Sequence, residues 1–250
     1  MNATVATLTR RSLLGRRRTV VLLLLPLALL ALCTLARVLA GLDPDIAREL
    51  DRTLAPDLLA TFGIAVLMPL LSLIAGTGSI GPEIDEGSIV YLLAKPLNRH
   101  SIVVTKLLVA VGVVIAFGVL PVAIAGTVLT GAVGAVTVGF SLGALAGGVA
   151  YAALFLLLAV LTKNAVVLGL IYALIWESLV GGLVPGAQTL SVQQWSLAVV
   201  EKVLGTSAPG LGVRSAVGFP LGMTLLVLVT VAATAYAGRK LQTVRIGESD

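Results

Sequence analysis

The sequence predicts an all-α polytopic membrane protein. It has six transmembrane helices, a short amphipathic helix between spans two and three, and a helical segment on the opposite side between spans five and six. Three observations predict it. Of the 250 residues, 58% are hydrophobic. Only 12% are charged, where soluble domains carry roughly 25%. The apolar residues gather in uncharged runs long enough to cross a bilayer, which takes about 20 residues each. No single soluble core could bury so much apolar surface, so lipid must be the solvent for most of it.

The first apolar run, Thr19 to Val38, is interrupted late by Arg37 and places span one near 19–41. Span two is read at 58–80. Residues 107–162 carry no charge. That is too long for one crossing, so it divides at Gly131–Val136 into spans at 107–130 and 137–161. Span five covers 164–184, broken only by Glu177, and span six covers 215–238. Together they form one transmembrane domain over residues 1–250. Gly143 and Gly147 make a small-xxx-small pair in span four that permits close helix approach, within the chain or between two copies.

An even number of spans puts both termini on one side. Arg10, Arg11, Arg16, Arg17, Arg18, Lys95, Arg99, Lys106, Lys163, Arg239, Lys240 and Arg245 share that side. Arg37, Arg48, Arg52, Lys202 and Arg214 fall on the other. By the positive-inside rule the termini are cytoplasmic, in a bacterial-type inner membrane. The Arg10-Arg11-Ser12-Leu13-Leu14 segment resembles a twin-arginine export signal, but five further spans mark the run as a retained anchor. The stretch from Asn2 to Arg18 either lies along the inner surface, with its arginines toward anionic headgroups, or is a disordered topology signal.

The charge of +5 sorts by topology, which argues against nucleic acid as a partner. Cys33 and His100 are each the sole residue of their kind. Metal clusters and nucleophile–histidine pairs are therefore unsupported, and no catalytic residue is assigned.

The charged stretch between spans two and three reads GPEIDEGSIVYLLAKPLNRHSIVVTK, from Gly81 to Lys106. Pro82 suits a helix first turn, the acids Glu83, Asp85 and Glu86 favour an N-terminus, and Pro96 stops the helix. This predicts a short amphipathic helix across the mouth of the bundle, followed by a basic turn. Its physics alone fits an ordinary loop as well as a docking site.

In the order Glu83, Asp85, Gly87, Ser88, Pro96, Leu97, Asn98, Arg99 and Lys106, the stretch resembles the loop after the second span of permease subunits in type-2 ABC exporters. Ser88 stands where threonine is usual and Asn98 where serine is common. The resemblance implies that Glu83, Asp85, Glu86, Gly87, Ser88, Pro96, Arg99 and Lys106 belong to a coupling helix and turn seated on a nucleotide-binding ATPase. It also implies a second permease copy. The chain has no GxxxxGK[ST] loop, so ATP and magnesium are expected on the partner and no cofactor on this chain.

Glu177 is the only acid inside a span, and an intramembrane carboxylate defaults to a functional hypothesis. Arg37, at comparable depth, could pair with it; Glu177 is then either a structural tie or part of a substrate path. The alternative function is an ion-coupled secondary transporter or channel using Glu177. Past span five, Ser191-Val192-Gln193-Gln194 fits a capping box. Val192, Trp195, Val199 and Val203 share one face of the helix it opens, which reads as an outer-surface or re-entrant element. The transported substrate is not legible.

Overall fold

The computed structural model describes residues 9, 16–85, 99–180 and 186–243. These residues are helical with short connections, and no strand occurs among them. Five helices are long and apolar enough to cross a membrane, and the protein is a multi-pass membrane protein. The helices are α1 (Arg16–Leu42), α2 (Pro44–Ile84), α3 (Arg99–Thr130), α4 (Ala135–Leu161), α5 (Ala165–Ile171), α6 (Val192–Leu204) and α7 (Phe219–Thr243). One end of the bundle carries Arg99, Lys163 and Arg239 and is called the basic end. The far end carries the α3–α4 turn.

Spans three and four emerge much as their sequence predicts. Gly131 adopts φ 72°, and its N–H bonds to Thr127 O, closing α3 with a left-handed residue that glycine accepts without strain. Four residues later α4 begins. It is apolar on all sides because it is the central helix, packed against α2, α3, α6 and α7. Small residues set those contacts. A Cβ on Gly76 of α2 would sit 2.8 Å from Ala152 O of α4, so the two backbones approach as closely as glycine allows.

Two expectations need correction. The second span, read at 58–80, is part of a 41-residue helix, about 60 Å long. It starts early because Asp43 accepts from Asp45 N at 2.8 Å and Pro44 occupies the first turn. At its other end Pro82 opens no new helix; it lies inside the segment Met68–Asp85. Helix-interior proline is tolerated in membrane bundles where neighbouring groups satisfy the freed carbonyl. The remainder of the expected coupling helix, with Glu86, Gly87, Ser88 and Pro96, lies outside the described residues. So does most of the segment from Asn2 to Arg18.

Of the fifth span, read at 164–184, the structure describes the part to Val180: α5 continues as a π-helical stretch, Tyr172–Val180, and residues 181–184 lie outside the described residues. The second correction concerns span six, read from 215. α7 starts at Phe219 because the preceding residues are held by α6: Ser215 N donates to Glu201 Oε2 at 3.0 Å, and Ala216 N to Gln194 Oε1 at 3.0 Å.

α6 is re-entrant. It rests in the groove made by Gly139, Gly143 and Gly147 of α4. A Cβ on Gly143 would lie 2.5 Å from Val200 Cγ2 and 2.9 Å from Ser196 O, and one on Gly147 would overlap Ser196 Oγ. Gly147 is 12 residues into α4, about 18 Å along it, so α6 descends to the middle of the bundle. The Gly143–Gly147 pair therefore serves internal packing.

Candidate functional site

At the basic end, the described residues of the charged stretch fold back into the bundle. Lys106 is not in a loop, because α3 begins at Arg99 and carries it on an inward face. Its side chain is fully buried. A buried ammonium must be paired and hydrogen-bonded. Its Nζ donates to Glu83 Oε1 at 2.7 Å, to Ser79 O at 2.7 Å and to Thr9 Oγ1 at 3.5 Å. The Glu83–Lys106 pair thus ties the end of α2 to the start of α3, and Thr9 reaches the same point.

Arg99 and His100 tie the start of α3 to the end of α7. Arg99 Nη1 donates to Leu241 O at 2.6 Å. A guanidinium at a helix C-terminus satisfies an orphan carbonyl and complements the helix dipole. One turn earlier on α7, Gly238 leaves room for the His100 ring; a Cβ there would lie 2.6 Å from His100 Cε1. Asp85 is the last residue of the helix before the undescribed segment. Both stems of residues 86–98 are therefore fastened, one to α3 and the other to α7.

The second constellation surrounds Glu177, which is 1% exposed. Its carboxylate accepts from Tyr172 Oη at 3.0 Å, Ser191 Oγ at 2.5 Å, Val192 N at 3.1 Å and Gln193 N at 3.4 Å. Tyr172 reaches it because residues five apart share a face in a π-helix, whereas they diverge in an α-helix. Val192 and Gln193 are the first residues of α6, so the carboxylate sits on the positive end of that helix dipole. Ser191 is the N-cap and also accepts from Gln194 N, as the capping pattern predicts. The N-terminal polar groups of α6, buried at mid-bundle, are thus satisfied by a side chain of the preceding helical stretch.

Arg37 takes no part in this. Its Nη1 donates to Leu129 O at 3.4 Å, at the C-terminal end of α3, where a cation is favoured. The expected Arg37–Glu177 pair is corrected accordingly: each charge is met by a helix terminus of matching polarity. No group of three histidines, cysteines or acids that could hold a metal occurs among the described residues.

A family model described as an ABC-2 family transporter protein matches residues 9–230. The chain belongs to the ABC-2 transporter family. It is the permease subunit of a type-2 ABC transporter. The match takes in Glu83, Arg99 and Lys106, the α6 groove and the first half of α7, and stops before Leu241. ABC-2 permeases are generally non-catalytic membrane subunits that pair with an ATPase subunit. No match is found among curated proteins.

In this ABC-2 permease, sequence reasoning grouped Glu83, Arg99 and Lys106 as one element, and the fold gathers all three at the basic end. It missed Ser79, Thr9 and Leu241, which act through backbone oxygens or a small hydroxyl. It also missed Tyr172 and the α6 N-terminus as partners of Glu177. The capping signal at Ser191 marked where that N-terminus lies, but nothing local ties it to a carboxylate fourteen residues earlier.

Proposed function

We propose that this permease works as an exporter driven by a separate ATPase, which docks on the basic end through the stretch from Gly81 to Lys106. The observation that carries the reading is the double anchorage of that stretch. Glu83 is bonded to Lys106, and Arg99 to Leu241. A displacement of residues 86–98 by a docked subunit would pull on α2, α3 and α7 together. Buried charge-assisted bonds transmit such a pull better than exposed ones, since water cannot replace either partner.

In this reading Glu83, Asp85, Glu86, Gly87, Ser88, Pro96, Arg99 and Lys106 form the coupling element. The working unit has two permeases and two ATPases, ATP and magnesium sit on the partner, and the basic end faces the cytoplasm of a bacterial-type cell membrane. The excess of basic residues at that end supports the orientation. Glu177 holds the re-entrant helix α6 at mid-bundle, where a hinge would open or close the far-end exit.

Affinity purification of the tagged chain with its ATPase tests the proposal. The expected result is a stoichiometric complex that turns over ATP, while the chain purified alone does not. ATP turnover by the isolated chain, or transport driven by an ion gradient without the ATPase, would overturn it.

A further inference from the structure

Along the seam between α4 and α7 the surface is indented twice, once in each half of the bundle. The far-end groove, of about 540 Å³, is walled by apolar side chains of α4, α6 and α7, among them Leu145, Val149, Phe219 and Val227. Its only charged wall residue is Lys202, near the C-terminus of α6 and so near the far end. The basic-end groove, of about 520 Å³, is walled by Leu154, Leu157, Leu228 and their neighbours. Its only charged wall residue is Arg239, in the last turns of α7. Each groove thus has an apolar floor at membrane depth and one cation where the membrane meets water.

Neither cation is consumed inside the protein. Lys202 and Arg239 are exposed, and they make no ion pair or hydrogen bond among the described residues. The acid beside Lys202, Glu201, is turned to Ser215 N. Thr230, the hydroxyl in the far-end groove, donates to Leu226 O of its own helix at 2.7 Å. Apart from the Tyr236 hydroxyl on the wall of the basic-end groove, the floors offer nothing to a polar ligand, while the rims offer a positive charge to an anion.

We infer that the two grooves are binding sites for anionic phospholipids, one in each leaflet, with acyl chains along the α4–α7 seam and headgroup phosphates on Lys202 and Arg239. The charge arrangement selects this occupant over a second copy of the chain. Burying both cations against another apolar helix would leave them unpaired, at a cost that a lipid phosphate avoids. A polybasic surface holds anionic lipid diffusely; a groove with one cation at its rim holds a single molecule in register.

Native mass spectrometry of the detergent-purified chain, titrated with phosphatidylglycerol or phosphatidylcholine, tests this. The expected result is two retained phosphatidylglycerol molecules and weaker phosphatidylcholine retention. Lys202→Gln and Arg239→Gln are each expected to weaken one site about fivefold, the effect of one interfacial cation, and Lys202→Arg to restore it. Val227→Trp, which fills the far-end groove without touching its charge, is expected to remove one site. Equal retention of both lipids, or unchanged retention in the charge variants, would overturn the inference. So would disulfide crosslinking between copies through Val227→Cys, which would put a second chain in the groove.

Discussion

Glu177→Leu is expected to release α6 from the bundle and to destabilise the protein by about 3–5 kcal/mol. The leucine would strand the Ser191 and Tyr172 hydroxyls and the Val192 and Gln193 N–H groups. Each buried orphan costs about 1–3 kcal/mol, and a buried helix N-terminus loses its counter-charge as well. Glu177→Gln keeps one acceptor oxygen and is expected to cost less, about 1–2 kcal/mol. Trp195 lies on α6 and donates to Thr189 O, so its fluorescence during denaturant unfolding in micelles reports on this region. Wild-type stability in Glu177→Leu would refute the anchoring role. Because Arg37 is bonded elsewhere, Arg37→Met and Glu177→Gln are expected to add within about 0.5 kcal/mol.

Glu83→Ala should be the most damaging change at the basic end. It leaves the fully buried Lys106 ammonium without its carboxylate, and breaking a buried pair from one side costs about 3–5 kcal/mol. Lys106→Met should also destabilise, because it leaves the Glu83 carboxylate, whose Oε2 is buried, without its cation. The double variant Glu83→Ala with Lys106→Met should be milder than Glu83→Ala alone, since no orphan cation remains. Heating each variant in detergent and following loss of the monodisperse peak checks the order. A double variant no better than Glu83→Ala would count against the pair.

What the sequence revealed and what it hid follow from the range of the interactions. The α3–α4 turn was legible because its cause is local: an uncharged run interrupted by glycines, one of which takes a left-handed conformation. The start of α6 was legible for the same reason, through Ser191 and its capping spacing. The burial of Lys106 was hidden, because a lysine beside an apolar run reads as the run's boundary. Only its counter-charge, twenty-three residues earlier in the chain, lets the helix carry it inward. The mistaken Arg37–Glu177 pair came from matching charges by depth, when helix termini supply half-charges that composition does not display.

The central claim is that residues between Glu83 and Arg99 form the seat of the ATPase. The most direct measurement places a photoreactive amino acid at Ser88 in the assembled permease–ATPase complex, with a second at Val133, an exposed residue in the far-end turn. Light should join permease to ATPase from Ser88 and not from Val133. Adducts to the ATPase from Val133, with none from Ser88, would contradict the account.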